Sequence, residues 1–361
     1  MLKVFTHLDQ ITAEWLTVNL RDVIKNAHIL SFKIQRLTNK QESVTGEVVR
    51  LILNSDTAGL PQTLIIKIAS ANTTNINYIY SYATEAQFYD KIADEIELRT
   101  PRCYYNGIDL ESDKSILLLE DMTPHVSNHD NWDDCSITEA EAAIQHIAKF
   151  HATYWEKSIS WVRQFKSVEF NQFQTSYLER WSPFLEKCGD KLPAKIKEIG
   201  EKLGKDINLV LNHIFGSKKT VVHGDYHRGN LLFLDTLNDG ILPVVIDWQA
   251  LKFGCGVFDV AFFLNSSVSP QVRQSQEKKL LRMYHQILVE NGIYNYSFEQ
   301  CWFDYQVSLL ESLFRIVYLV GSGVLKPEIE QSYCNFGWHR ICASIIDLNI
   351  NELLIQLKRY N

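Results

Sequence analysis

Over roughly the first 120 residues, apolar positions recur every second residue in short runs separated by turn formers. Residues 28–37, 47–53 and 63–69 are three such runs. Asn39, Gly46, Asn54-Ser55-Asp56 and Gly59-Leu60-Pro61 lie between them. This pattern predicts three consecutive strands in an antiparallel meander. Thr12 ahead of Ala13-Glu14-Trp15-Leu16 predicts a capped helix running towards Leu20 and Val23. After the meander the spacing becomes helical: Tyr82, Ala86, Tyr89, Ala93 and Ile96 predict a helix over 78–96. Residues 101–107 and 115–119 read as a second strand pair, with Asn106-Gly107 opening the connection between them.

Beyond Glu120-Asp121-Met122-Thr123-Pro124 the pattern changes, and a polar stretch runs to Asp134. Ser136-Ile137-Thr138-Glu139 is a capping box, in which a serine and a glutamate each satisfy a free N–H of the first helical turn. The helix behind it is expected to reach about residue 156, with others over 171–187, 193–215, 270–291, 297–320 and 327–356. The chain is therefore expected to be α+β and bilobal. An N-lobe over 1–119, built on a five-stranded antiparallel sheet plus one helix, precedes a hinge at 120–124 and a mostly helical C-lobe over 125–361.

Composition changes this picture little. The 361 residues carry 46% apolar and 22% charged side chains, as a globular protein does. A net charge of −7 argues against a nucleic-acid binder. The seven cysteines are scattered and form no C-x-x-C pair, which gives neither a disulfide framework nor a zinc site. No apolar run approaches the roughly 18 residues that would span a membrane. The expectation is a cytoplasmic protein outside the membrane.

The helical half is interrupted by two short apolar strands with polar ends: Val221-Val222-His223-Gly224-Asp225-Tyr226-His227-Arg228-Gly229-Asn230, and Val244-Val245-Ile246-Asp247-Trp248-Gln249. An Asp, an Asn five residues on, and a second Asp after a hairpin suit a site that holds divalent metal and aims a hydroxyl at a phosphate. Two carboxylates about 4 Å apart repel by roughly 4 kcal/mol at an effective dielectric of about 20. A cation is the natural compensation, and oxygen-only ligands suit magnesium. His223 fits bracing of the loop better than the role of base. Lys67, flanked by Ile65, Ile66 and Ile68, needs a partner such as Glu85, because an unpaired ammonium in an apolar strand is costly.

His223-Gly224-Asp225 with Asn230, followed by Ile246-Asp247, resembles the catalytic and metal-binding loops of the aminoglycoside phosphotransferase and choline kinase superfamily, small-molecule relatives of protein kinases. The Asp247-Trp248-Gln249 ending, the 148–155 helix and Glu14-Trp15-Leu16 are similar to its ecdysteroid-kinase-like branch. The resemblance implies an ATP- and Mg2+-dependent transfer of phosphate to a small-molecule alcohol. It makes Asp225 the catalytic base, Asn230 and Asp247 the magnesium ligands, and Asp259 the aspartate that braces the catalytic loop beside His223. It makes Lys67 the lysine on the nucleotide phosphates, Glu85 its helix partner, and Glu120 to Met122 the adenine-binding stretch.

One departure stands out. The loop at 38–47, expected over the phosphates, has only Gly46, so its Ser43, Thr45 and backbone N–H groups are its candidate phosphate contacts. That shortage motivates an alternative reading as a catalytically inactive, nucleotide-binding pseudokinase or scaffold. His151 and Trp155 fit packing roles better than ligand roles, and Arg228 is placed either to reach a transferred phosphate or to brace the loop. Trp302, Tyr305, Trp338 and His339 are candidates for lining an acceptor pocket, although helical aromatics more often belong to a core. The acceptor and the oligomeric state are not readable from the chain.

Overall fold

The computed structural model describes residues 7–37, 46–69, 81–109, 114–123, 134–216, 219–236, 240–323, 325, 327–332 and 338–360. Ser43 and Thr45 lie outside the described residues. The chain divides into two compact units, Met1–Ser127 with Val244–Ala250, and Asn128–Pro243 with Leu251–Asn361.

The first unit opens with α1 (Ala13–Arg21), capped by Thr12, whose hydroxyl accepts the Trp15 N–H at 3.0 Å. Its sheet contains β1 (Ile29–Arg36), β2 (Gly46–Ser55), β3 (Thr63–Ala69), β4 (Cys103–Asp109) and β5 (Lys114–Glu120) in the order β1-β2-β3-β5-β4. All neighbours pair antiparallel. Alternation puts Val49, Leu51, Leu64, Ile66, Ile68, Ile116 and Leu118 into one buried layer with Leu16 and Leu20 of α1. Lys67, between two of these residues, faces the other side, where α2 (Tyr82–Lys91) follows β3. Gly46 owes its identity to close approach, since a Cβ there would stand 2.7 Å from the Ile68 carbonyl oxygen and 2.9 Å from the Tyr82 hydroxyl. The expected helix over 78–96 is shorter: α2 ends at Lys91, and only a single 3-10 turn, Ala93–Glu95, follows.

The second unit is mostly helical. It contains α3 (Ile137–Thr153), α4 (Ser167–Cys188), α5 (Ala194–Leu203), α6 (Ile207–Phe215), α7 (Val257–Ser267), α8 (Pro270–Glu290), α9 (Phe298–Val320), α10 (Pro327–Ser332), α11 (Trp338–Ile346) and α12 (Ile350–Tyr360). The capping box at Ser136 is present, with Glu139 reaching back to the Ser136 N–H at 2.8 Å. Two expected long helices are divided. The one at 193–215 breaks after Leu203 at Gly204, and the one at 327–356 is three helices among the described residues. Helix α7 was not expected as a helix at all. Every residue from Val257 to Asn265 is buried, so it shows no polar face to give a period.

Short strands β6 (Thr220–Val222) and β9 (Lys252–Gly254) pair antiparallel, and β7 (Leu231–Asp235) pairs with β8 (Ile241–Val245). Sequence reasoning grouped the Asp247 loop with the helical lobe, whereas Val244–Ala250 belongs to the first unit. The reason is packing: Trp248 stacks on Phe88 of α2 at 3.9 Å, and the Ser81 N–H donates to the Gln249 carbonyl at 2.9 Å. Spacing gave no reason to expect a crosslink, but Cys188 at the end of α4 is disulfide-bonded. Pairing depends on spatial approach, which cysteine spacing does not reveal. Cys103, Cys135, Cys255, Cys301 and Cys342 are free thiols. Among the described residues, no helix is long and apolar enough to cross a membrane.

Candidate active site

Each unit carries a cluster of buried polar groups that contains residues singled out in the sequence. In the first unit, the Lys67 ammonium lies 2.7 Å from Glu85 and 2.9 Å from Asp247. Burial opposes its charge, but the Asp247 and Glu85 carboxylates outweigh that and raise its pKa. Glu85, on the first turn of α2, also accepts the Trp248 N–H at 3.3 Å and the Gln249 side-chain amide at 3.4 Å. Asp247 sits at φ 64, a left-handed conformation that Asp tolerates better than most residues. Its side chain keeps 35% exposure, against 2% for that of Glu85. The two carboxylates on one lysine therefore differ: one is enclosed and the other remains accessible.

At the end of the sheet, Glu120 pairs with Arg99 at 2.6 Å and accepts the Arg102 N–H at 3.0 Å, while Met122 is buried. Asp121 between them pairs with Arg50 at 2.6 Å. The side chains of this stretch are thus engaged within the unit.

In the second unit the loop after β6 is pinned from behind by Asp259 of α7. Its carboxylate accepts the His223 N–H at 2.7 Å and the Gly224 N–H at 2.9 Å. Burial works against this charge, but the His151 hydrogen bond and the other donors hold its pKa below the usual range. An ionised carboxylate only accepts, so His151 Nε2, at 3.1 Å, is the donor to Asp259. In a neutral ring Nδ1 then accepts the Tyr284 hydroxyl at 3.0 Å. Gly256 leaves room for this relay, since a Cβ there would stand 2.5 Å from the Tyr284 hydroxyl and 2.9 Å from His151 Nδ1. Gly224 takes φ 84, which lets consecutive N–H groups converge on one carboxylate. His223 itself is fully buried, and its Nδ1 accepts the Asp225 N–H at 3.2 Å, a bracing role.

Asp225 is ringed by donors. Arg315 of α9 reaches Oδ1 at 2.9 Å, the Asn230 amide nitrogen lies 3.2 Å from Oδ2, and His227 Nε2 lies 3.7 Å from it. Burial would raise the Asp225 pKa, yet His227, Arg315 and His223 together hold it well below the carboxylate range. Asn230 also donates to the Asp225 carbonyl at 2.9 Å. With its nitrogen committed to the loop, its amide oxygen is the end that could ligand a cation. The second candidate oxygen donor, Asp247, belongs to the first unit. Among the described residues no three His, Cys, Asp or Glu side chains gather as a metal site.

Arg228 resolves as a brace. Its guanidinium lies 4.7 Å from the Phe233 ring and 3.4 Å from Glu139. His151 is more than the packing residue expected, because it orients Asp259. Tyr305 and Trp338 are buried in helix packing, whereas Trp302 is partly exposed and His339 exposed. Sequence reasoning missed Arg315, Glu311 and Lys252. Arg315 and Glu311, spaced i to i+4 in the apolar stretch 307–320, carried a readable signal: charges enclosed on a helix must be paired. Lys252 of β9 is buried as well. Enclosure and the neighbouring Arg315 push its pKa down to about 7, outweighing Glu311, Asp259 and Asp225.

Solved structures with this arrangement of elements are similar over nearly the whole chain. A putative aminoglycoside phosphotransferase from Ralstonia eutropha JMP134 matches with a TM-score of 0.55 and 13% identity, covering 96% of this chain and 98% of that one. A choline kinase from Cryptosporidium parvum gives 0.52 and 10%, covering 91% of each chain. A Plasmodium vivax ethanolamine kinase gives 0.51 and 13%, covering 92% of this chain and 86% of that one. At these identities the likeness establishes the fold, which is α+β and protein-kinase-like, with the five-stranded antiparallel sheet at its N-terminal end and a mostly helical remainder. A comparison with curated protein sequences found no match. The family model for ecdysteroid kinase-like proteins matches residues 40–293, well over half of the sequence and including both polar loops. The chain belongs to the ecdysteroid kinase-like family.

Proposed function

We propose that the protein transfers the γ-phosphate of ATP to the hydroxyl of a small molecule, with magnesium. The observation that carries this reading is the Asp225 loop: an ionised carboxylate, flanked by Asn230, on a backbone fixed by Asp259. Family membership and a fold shared with small-molecule kinases support it.

Residues 1–119, with 244–250 packed into the same unit, serve as the nucleotide-binding lobe, 120–124 as the hinge, and the rest of 125–361 as the lobe that presents the acceptor. Lys67 binds the ATP phosphates while Glu85 holds it in place, and the backbone of Glu120 to Met122 reads the adenine. Ser43, Thr45 and Gly46 cover the phosphates. Asn230 and Asp247 would hold Mg2+, which when bound would neutralise phosphate charge; both offer the oxygen donors this ion prefers. Asp225 accepts a hydrogen bond from the acceptor hydroxyl and aims its oxygen at the γ-phosphorus. As the new O–P bond forms and the bridging bond to the ADP oxygen breaks, the hydroxyl proton passes to Asp225 and then to water. A carboxylate with so low a pKa is a weak base but a firm acceptor, which suits a loose transition state in which little proton transfer precedes bond formation.

The test is ATP consumption across a library of alcohols, with Asp225→Asn as the blank. Turnover in the wild type and its loss in the variant are expected. Nucleotide binding without turnover on any alcohol would sink this reading and favour an inactive nucleotide-binding protein.

A further inference from the structure

We propose that Arg315, held by Glu311, is a positioning residue that locks the Asp225 carboxylate to the backbone of its own loop. This rests on the phosphotransferase reading above, in which Asp225 meets the acceptor hydroxyl.

The guanidinium spans two adjacent residues of the loop. Nη1 donates to Asp225 Oδ1 at 2.9 Å, and Nη2 donates to the Gly224 carbonyl at 2.8 Å. A side chain and the neighbouring backbone gripped by one rigid plane cannot rotate independently. Only a planar, multiply donating cation makes such a bridge; the single ammonium of lysine does not reproduce it. The plane itself is oriented from the other side. Glu311, one helical turn earlier on α9, accepts from Nε at 3.2 Å and lies 3.1 Å from Nη2. The Phe262 ring of α7 lies 4.5 Å from the guanidinium carbon. Helix α7 also carries Asp259, so the loop is fixed by two helices: through its N–H groups from α7, and through a carbonyl and the Asp225 carboxylate from α9.

A simple helix-stabilising ion pair does not account for this arrangement. Glu311 and Arg315 are each 4% exposed and would already form a complete i to i+4 pair without the loop. Adding Asp225 puts two carboxylates on one guanidinium. The charges are organised around the catalytic carboxylate. The fork takes Oδ1 and Asn230 takes Oδ2, so the rotation of the carboxylate is set before an acceptor arrives.

The test compares wild type with Arg315→Met, Arg315→Lys and the double variant Glu311→Gln/Arg315→Met. The double variant removes both buried charges and so keeps the experiment readable if Arg315→Met alone fails to fold. Once each variant has been shown to be folded by circular dichroism, kcat and both KM values are measured, and the crystal structure of the double variant is determined. The expected result is a roughly 10²-fold fall in kcat with KM for ATP and acceptor nearly unchanged, as for a reacting group displaced by about 1 Å. Partial recovery is expected in Arg315→Lys, and a rotated Asp225 carboxylate in the double variant. A folded double variant with wild-type kcat, or with Asp225 unmoved, overturns the proposal. If the wild type phosphorylates no alcohol, the phosphotransferase reading fails instead, and the position of Asp225 in the crystal alone decides the role of Arg315.

Discussion

In the first unit one ammonium, Lys67, is shared by two carboxylates, and one of these, Asp247, keeps an accessible side chain. In the second unit each acidic residue of the catalytic loop system is enclosed by its own donors: Asp259 by two backbone N–H groups and His151, and Asp225 by Arg315 and Asn230. The first cluster holds a surplus of negative charge that a cationic ligand can share, so its partners are exchangeable. The second is enclosed by donors of its own and anchored to two helices, so its geometry is fixed. Under the proposed function the first would grip the nucleotide and the second would present the reacting carboxylate, and the way charge is buried in each suits that division.

The comparison can be broken at several points. Asp225→Asn should give the largest loss, about 10³-fold in ATP-dependent turnover, or about 4 kcal/mol of barrier, with the melting temperature nearly kept. Turnover within tenfold of wild type would remove Asp225 from the chemistry. Asp259→Asn should act through the fold. Replacing a buried charge that three donors face should cost about 3 kcal/mol, read from urea unfolding midpoints at constant slope. A cost near zero would mean that the loop holds itself without α7.

Lys67→Met should lower kcat/KM for ATP about 10²-fold, or about 2.7 kcal/mol, while acceptor KM stays near its wild-type value. An effect confined to acceptor KM would contradict the exchangeable role of the first cluster. The effect smallest per pH unit concerns Lys252, whose folded pKa of about 7 lies below an ordinary 10.5. Between those values the unfolded chain binds more protons, so wild-type stability should rise with pH by up to about 1.4 kcal/mol per unit. Lys252→Met should flatten that rise, measured as the difference between the two proteins in urea unfolding from pH 7 to 10. Parallel profiles would show that Lys252 stays charged in the fold.

Legibility in the sequence followed the distance over which each interaction acts. The catalytic loop could be read because Asp225 and Asn230 are close in the chain and on one turn. Lys67 could be read because a charge among isoleucines needs a reason. The antiparallel sheet was visible in its period of two, while α7 was not visible as a helix because burial on all sides erases any period. Arg315 lies 90 residues from Asp225 in a stretch dominated by apolar residues, and nothing local says which carboxylate it faces. The break at Gly204 and the membership of Val244–Ala250 in the first unit likewise depend on tertiary packing.

That last membership bears on how the protein is made. Lys67 and Asp247 are separated by 180 residues, and Trp248 and Gln249 supply donors to Glu85. At a typical 5–20 residues per second, a ribosome needs roughly 10–40 s to add the segment that completes the first unit after Lys67 has been made. During that interval the sheet exists without its last partners, and the whole of the 221–230 loop is synthesised before the Lys67 cluster can close. Expressing the N-terminal part alone, ending at Ser127, would leave that cluster permanently unfinished.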